Sequence, residues 1–440
     1  MKIDRRSFLL GGCAFATLPS FSITGPAAGR KLRIALIGCG MRMKSLLTNV
    51  MEENIVAMAD PDPAAFKKLF ELLKAYGHGD AIGGIRLFPD YREMLDKISG
   101  ELDAVIIATT NLHHAPASIM AMEKGLHVYV EKPMAFSISE AKAMRDTARR
   151  CGVATQVGNQ GHSDEGVRRF AEYLAAGALG GIRDIWCWTD RVNAYAVEPP
   201  KAALPPGFNW EAYRGTADVE YRETMHPHGW HAWHAIGNGS IGNMATHIFD
   251  PFVWGLGLGA PENVELVDCI PGGKGSWDVS SEFRWEFSAN AKRGPITMHW
   301  FDGVKPGTPV DSEHVKMNDC VRDVKWANRP PIVDEMERRY GVDLGRTGGI
   351  VVGANGVMRI GSAGGLLFAP SSFQKDLGDV PKTFPREKHM THMRDFFVAA
   401  RGGRPAVCNF EYAEPLAEIV LSGNLASLAG KGRKIALKKS

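Results

Sequence analysis

The stretch LRIALIGCGMRM, residues 32–43, decides the fold. Leu32 to Ile37 is a short aliphatic run of the kind a buried parallel strand uses, and it delivers the chain into Gly38-Cys39-Gly40-Met41-Arg42-Met43. The first glycine permits a tight turn and the second lets backbone approach a pyrophosphate. The helix predicted to begin near Arg42 then offers its N-terminus to that anion. Met43 stands where the dinucleotide fingerprint has its third glycine, so the motif is incomplete on its own. The second predicted strand, Ile55 to Ala59, supplies what is missing. It ends at Asp60, about 20 residues after Gly40, the spacing at which an acid reaches the adenosine ribose hydroxyls. Gly38, Cys39, Gly40, Met41, Arg42 and Asp60 are therefore candidate cofactor contacts. Asp60 favours NAD over NADP, while Arg42 leaves acceptance of a ribose phosphate open.

Strands and helices keep alternating downstream. Ala64 to Tyr76 reads as an amphipathic helix, Arg86 to Phe88 as a strand, Tyr91 to Ile98 as a helix and Asp103 to Ala108 as a buried strand. This alternation predicts an α/β fold with a doubly wound parallel sheet. The loop after the fourth strand, Thr109-Thr110-Asn111-Leu112-His113-His114, lies where such sheets bind ligands, which adds Thr109, Asn111 and His114 to the cofactor candidates. The next strand, Leu126 to Val130, runs into Glu131-Lys132-Pro133. A lysine at the carboxyl end of a strand, its backbone held by proline, can aim its ammonium at a nicotinamide and a substrate hydroxyl.

The segment DAVIIATTNLHHAPASIMAMEKGLHVYVEKPMAFSISEAKAM, Asp103 to Met144, resembles the signature of the Gfo/Idh/MocA oxidoreductases, the glucose-fructose oxidoreductase and inositol dehydrogenase superfamily. GNQGHSDEGVRRFAEYLAAGALGGIRDI, Gly158 to Ile185, is similar to the start of that family's second domain. The resemblance implies an N-terminal Rossmann domain at residues 30–155. After it, at 156–440, comes an α+β domain with an open, mostly antiparallel sheet that covers the nicotinamide and often makes the oligomer contact. It also implies a catalytic lysine at Lys132 and a helix carrying an Asp and, four residues on, a His that acts as base. Here His247 matches, but Asn243 replaces the acid. An amide can fix an imidazole tautomer yet cannot stabilise an imidazolium, so proton removal by His247 is expected to be weaker, or shared with Lys132 or another histidine.

Other histidines are close in sequence. Met225 to His234 packs His226, His228, His231 and His234 with Trp230 and Trp233. Pro227 and Gly229 argue against the long helix that a histidine metal site at this spacing needs, so no metal is assigned. A sugar subsite built from His226, His228, Trp230, His231 and Trp233 is expected, with buried structural aromatics as the alternative. Pro199 to Gly215 reads as a long ordered loop on the substrate side. Trp186 and Trp188 share one face of a strand. Ser281 to Phe287, Ile296 to Trp300 and Val351 to Ile360 continue the strand signals. Residues 304–347 read as an insertion or mobile loops, 386–400 and 413–429 as helices, and the Lys-rich tail as solvated.

At the other end, Arg5 and Arg6 precede Ser7, Phe8, Leu9 and Leu10, followed by a weakly hydrophobic stretch and small residues at Gly25, Ala27 and Ala28. Residues 1–29 thus resemble a twin-arginine leader, which implies the twin-arginine export machinery as partner and a periplasmic or otherwise exported location. Pro19 breaks the stretch, which is too short for a permanent membrane span. Cys13 offers a minor lipoprotein possibility.

Composition bounds the remaining classes. With 440 residues, 45% hydrophobic and a formal charge of +3, the chain can bury cores in two domains, and electrostatics give no sign of nucleic-acid binding. Seven cysteines, Cys13, Cys39, Cys151, Cys187, Cys269, Cys320 and Cys408, form no CxxC pair, so neither a zinc site nor a disulfide framework follows.

Two function classes fit. The first is a nicotinamide-dependent oxidoreductase that takes hydride from a carbinol carbon of a sugar, sugar derivative or polyol, as a dehydrogenase or redox-neutrally, the latter including NAD-dependent glycosidases. The second is a sugar- or nucleotide-binding protein altered at Asn243 and Met43. A homo-oligomer, dimer or tetramer, is expected.

Overall fold

The computed structural model describes residues 30–291, 293–386 and 390–437, so the leader expected over residues 1–29 lies outside the described residues. The first domain alternates β1 (Arg33–Ile37), α1 (Met41–Val50), β2 (Asn54–Ala59), α2 (Pro63–Ala75), β3 (Arg86–Phe88), α3 (Tyr91–Ile98), β4 (Ala104–Ile107), α4 (His114–Glu123), β5 (His127–Glu131), α5 (Ile138–Cys151) and β6 (Thr155–Gly158). Its six strands run in the order β3-β2-β1-β4-β5-β6, every neighbouring pair parallel. The period-2 geometry of a strand explains why β1 is apolar throughout. Ile34 and Leu36 enter one core layer, and Ala35 and Ile37 the other.

The order reverses between β1 and β4, and there the carboxyl ends of the strands open a crevice. Gly38 makes the turn at that point with φ of 82°, and a Cβ on it would lie 2.6 Å from Ala108 O. Met43, in the place of the third glycine, is fully buried in the layer under α1.

The second domain follows with α6 (Glu165–Ala175), β7 (Asp184–Thr189), β8 (Arg191–Val192), α7 (Trp210–Arg214), α8 (Thr246–Leu256), β9 (Asn263–Ile270), β10 (Ser280–Phe287), β11 (Ile296–Gly303) and β12 (Asp319–Cys320). Then come α9 (Pro331–Tyr340), β13 (Thr347–Val352), β14 (Val357–Gly361), β15 (Gly364–Ala369), α10 (Phe373–Leu377), α11 (His392–Ala400), α12 (Phe410–Ala429) and β16 (Lys434–Ala436). The main sheet has eight strands, β15-β14-β13-β7-β11-β10-β9-β16, antiparallel except for the β11–β7 pair. Its inner face carries Phe283, Trp285, Met298 and Trp300 against α6, α8 and α12. Trp188 is buried in a separate cluster with Val333 and Met336 of α9, while Trp186 stacks on His299.

Several sequence expectations are corrected. β6 reaches Gly158, past the expected boundary at 155, because it completes the first sheet beside β5. Residues 304–347 are ordered by β12, α9 and a core of Val304, Val315, Val321 and Ala327. The described part of the tail pairs as β16 with β9 while Lys431 and Lys434 stay exposed as expected, and the run 351–360 is a hairpin of two strands.

The domain division in sequence is also crossed. Met393 and Phe396 of α11 fill one layer under the first sheet. On α12, Ala413, Ala417 and Leu421 face the first domain while Leu416, Ile419 and Val420 face the second. A helix buried on two sides has no single apolar stripe, which hid its true start at Phe410. Among the described residues no helix is long and apolar enough to cross a membrane.

Gly38→Ala is expected to lower the urea midpoint by an amount equivalent to about 1–3 kcal/mol, the range for a residue forced into a sparsely populated backbone region. Equilibrium unfolding followed by tryptophan fluorescence checks this.

Candidate active site

The crevice over the first sheet continues into a cavity of about 570 Å³ walled by both domains, a size typical of small-molecule sites. Its first-domain wall contains Gly38, Gly40, Met41, Arg42, Asp60, Thr109, Thr110, His114, Glu131 and Lys132. Its second-domain wall contains Arg191, Asn193, Tyr213, His226, His228, Trp230, His231, Asn243 and Asn318.

The dinucleotide end fits the expected ligand. Gly40 is the N-cap of α1 and supplies no side-chain cap, and a Cβ on it would meet nothing within 4 Å. The amides of the first turn therefore face open space at a helix N-terminus, a cradle for a pyrophosphate. Asp60, 8% exposed, accepts from Cys39 N at 2.5 Å and from Asp62 N at 2.8 Å, which fixes both its oxygens at the end of β2. Burial, opposed by those two backbone bonds, pushes its carboxyl up to about 6.

Arg42 turns away from Asp60. Its Nε lies 2.8 Å from Glu131 Oε1 at the end of β5, three strands across the sheet, on the order of 14 Å at the usual strand spacing. The Arg42 guanidinium thus guards the far end of the crevice, not the ribose hydroxyls beside Asp60. Glu131, 3% exposed, also accepts from Gln160 Nε2 at 2.9 Å.

Loop residues after β4 divide by role. Thr109 lines the cavity. His114 faces two carbonyls, Pro133 O at 2.7 Å and Thr109 O at 3.3 Å, and burial drives its pKa down to about 4. It therefore braces the backbone next to Lys132 as a neutral ring. Asn111, expected at the cofactor, is a correction. It is fully buried and accepts from Asn238 N at 3.2 Å, so it seals the domain junction instead. Cys39 likewise contributes no wall, since its amide is taken by Asp60 and its thiol is buried.

Lys132 crosses between domains. Its Nζ donates to Asn243 O at 2.8 Å and to Asn243 Oδ1 at 2.7 Å. Asn243 sits on a wide π-helical turn, Ile241–Ala245, that leads into α8 and is packed tightly enough that a Cβ on Gly242 would lie 2.2 Å from Asn238 Cβ. The turn lets one residue present its backbone and side-chain oxygens to the same amine. His247, four residues on, is half-buried and feels the Lys132 charge; its Nδ1 donates to Asn159 Oδ1 at 2.8 Å. Burial, reinforced by Lys132, Arg42 and His392, holds its pKa well below the ordinary histidine value.

The aromatic histidine stretch also divides. His231 stacks on Trp230 with ring centroids 3.6 Å apart, and His226 and His228 complete that wall. His231 Nδ1 is buried without a partner, and burial lowers its pKa strongly. Trp233 is corrected from subsite to core: it is 3% exposed, packed with Met225, Ala232 and Ile236.

Around these residues, 199–232 form a strap over the adenosine side. Asn209 N donates to Pro61 O at 2.9 Å, His226 Nε2 pairs with Asp62 Oδ2 at 3.0 Å, and Tyr213 O lies 2.7 Å from His113 Nε2.

Sequence reading missed Arg191, Asn193 and Asn318. Arg191 and Asn193 follow the strand WCWT at alternate positions, so one face of the extended chain carries both into the cavity. That polar pair after an apolar strand was the available signal. Asn318 has φ of 57°, a left-handed conformation that asparagine tolerates, and its Oδ1 is buried without a partner.

Dinucleotide affinity is expected to fall about tenfold per pH unit below about 6, because a protonated Asp60 no longer accepts from ribose hydroxyls. Titration of tryptophan fluorescence with NAD at pH 5 to 8 checks this, a flat profile counting against Asp60 as the ribose acceptor.

Comparisons with known proteins agree with this geometry. Residues 32–159 match the model of the GFO_IDH_MocA oxidoreductase family, NAD-binding Rossmann fold. Over 219 residues the chain is 26% identical to levoglucosan dehydrogenase of Pseudarthrobacter phenanthrenivorans, covering 49% of this chain and 46% of that protein. It is 30% identical over 177 residues to a glycosyl hydrolase family 109 protein of Shewanella amazonensis, covering 33% of this chain and 37% of that one. The chain thus spans less than half the length of these curated relatives. The WlbA dehydrogenase of Bordetella pertussis, solved with NADH and UDP-GlcNAcA, superimposes with a TM-score of 0.58 at 16% identity, covering 93% of this chain and all of that one. That likeness is one of fold.

Proposed function

We propose that this chain, whose residues 32–159 match the model of the GFO_IDH_MocA oxidoreductase family, NAD-binding Rossmann fold, is an oxidoreductase of that family that transfers hydride from a carbinol carbon of a sugar, sugar derivative or polyol. The observation that carries it is a cavity in which the dinucleotide crevice meets Lys132 and a polar wall of Arg191, Asn193, Asn243 and His231. When bound, the nicotinamide supplies the hydride acceptor. Gly40 and the first turn of α1 would hold its pyrophosphate, and Asp60 its ribose hydroxyls. Lys132 stands at the end of β5 to meet the substrate hydroxyl, and the amides and imidazole of the second-domain wall supply donors and acceptors for further hydroxyls.

The strap supports a cofactor that is tightly held. His226 and Asn209 close the chain over the edge of the adenosine pocket at Asp62 and Pro61. A captive nicotinamide suits a cycle in which hydride is borrowed and returned. The similarity to a glycosyl hydrolase family 109 protein favours, as a second reading, redox-neutral bond cleavage by oxidation, elimination, hydration and reduction.

The Arg5-Arg6 leader supports export by the twin-arginine route and work outside the cytoplasm. The outer face of β9 and β10, with Val267 38% exposed amid Glu265 and Arg284, supports a homo-oligomer through the open sheet.

Purified protein is expected to carry nicotinamide, and its near-ultraviolet absorbance should change when the right sugar or polyol is added. Absence of both bound nicotinamide and NAD affinity would overturn the proposal. Lys132→Met should lower turnover by about 10²–10⁴-fold in protein that is still folded and still binds NAD, the range for losing a positioned acid–base group. His226→Ala should speed NAD release roughly tenfold, as expected for one hydrogen bond to a charged partner, measured by displacement with a fluorescent analogue.

A further inference from the structure

The substrate end of the cavity holds cations without matching acids. The protein partners of Lys132 Nζ are two neutral oxygens of Asn243, and Arg191 of β8 enters the same space from the opposite wall. The lining carboxylates lie elsewhere. Asp60 and Asp90 stand at the ends of β2 and β3, and Glu131 is paired with Arg42. Among the described residues the second-domain wall contributes no carboxylate.

Arg191 belongs to a small ribbon. β8 pairs with β12, so that Arg191 lies opposite Cys320 and Val192 opposite Asp319. Ser240 Oγ donates to Arg191 O at 3.2 Å and accepts from Asn193 N at 2.9 Å, which pins this backbone to the chain just ahead of the wide turn. Arg191 Nη1 donates to Asp319 Oδ1 at 2.8 Å, but the other oxygen of Asp319 serves Lys316 Nζ, also at 2.8 Å. One carboxylate shared by two cations leaves a positive charge over. Asp190, the acid beside Arg191 in the chain, is taken by Arg346. Nε and Nη2 of Arg191 have no protein partner among the described residues, and the side chain is 43% exposed. Those two nitrogens form the side-on edge of the guanidinium, the fork that grips an oxyanion through two parallel bonds.

The same ribbon brings in an acceptor. The chain turns at Lys316 to Asp319, closed by Asp319 N on Lys316 O at 3.1 Å, and Asn318 takes the left-handed position of that turn. Its Oδ1 is buried in the cavity wall without a partner, since the neighbouring Tyr195 phenol gives its proton to Thr224 O at 3.4 Å. A buried oxygen in that condition calls for a donor from the ligand.

We propose that the substrate is an acidic sugar: it carries a singly charged oxyanion, carboxylate or sulfate, held by Nε and Nη2 of Arg191, and one of its hydroxyls donates to Asn318 Oδ1. The inference deepens the oxidoreductase reading above and rests on it. Arg191 and Asn193 alternate along extended chain, roughly 7 Å apart, and Asn193 reaches Lys132 through Asn243. Anion and reacting hydroxyl are thus spaced on the scale of one sugar ring. Burial holds His231, in the same wall, toward its neutral form, so it adds a hydrogen bond and no further charge.

The test is calorimetric binding of matched sugars to the NAD-loaded, full-length protein at low ionic strength. Glucuronate and glucose 6-sulfate are compared with glucose, and the galacto and manno counterparts likewise, so that the uronate and sulfate arms tell the two oxyanions apart. At least one acid should bind about tenfold tighter than its neutral partner, as for one charge-assisted contact. Added salt should shrink that excess. Arg191→Gln, in protein that still binds NAD, should bring the acid down to the neutral sugar. Asp319→Asn, which removes the competing carboxylate and leaves the guanidinium, should keep or enlarge the excess. The proposal is overturned if no acid exceeds its neutral partner, absence of binding by both included, if the excess survives Arg191→Gln, or if it is lost in Asp319→Asn. Asn318→Ala should weaken acid and neutral sugars alike by roughly threefold, and unchanged affinity removes Asn318 from the site. NAD affinity measured separately keeps the outcomes distinct: normal NAD binding without an acid preference sinks this inference alone, and absent NAD binding sinks the oxidoreductase reading.

Discussion

One interaction ties the molecule together where chemistry is expected: the Lys132 amine of the first domain on the two oxygens of Asn243 in the second. Each domain prepares its half by different means. The first uses strand order, since a parallel sheet whose order reverses between β1 and β4 leaves its carboxyl ends open at that seam. The second uses a wide turn before α8, held open by close packing at Gly242. The contact closes only when both are in register, and the Asn111–Asn238–Asn424 junction beside it keeps them so.

Buried charge follows from that closure. Asp60 and Lys132 sit at opposite ends of one cavity, and burial makes each less willing to ionise. Asp60 is compensated by backbone N–H groups and Lys132 by neutral oxygens, so neither has a direct ionic partner. Arg42 and Glu131 form the one ion pair on the cavity floor among the described residues that face it, and they neutralise each other. The cavity thus keeps two titratable groups close to physiological pH, where small changes in charge nearby have large effects on protonation.

Much of the first domain was legible because local rules acted alone. The aliphatic β1, the Gly38 turn and the spacing to Asp60 are all satisfied within consecutive elements. Lys132 was legible for the same reason, standing at a strand end. Asn193 was not, because its value depends on meeting Asn243 from just past β8, about fifty residues earlier in the chain. Trp233 and Asn111 misled because aromatic and polar residues beside a site also build the frame around it. The start of α12 was hidden by a surface that is apolar on two sides, since the helix serves two cores and shows neither periodicity cleanly.

That shared helix has a consequence for how the chain comes into being. The strands of the first sheet are complete at Gly158, yet Met393, Phe396, Ala413 and Ala417, which finish its two flanks, come from the far end of the chain. At synthesis rates of about 5–20 residues per second, the earlier segment waits on the order of tens of seconds with apolar flanks uncovered. The first domain to be made is therefore among the last to be finished. Loss of the final helices would unmake the beginning of the protein as well as its end.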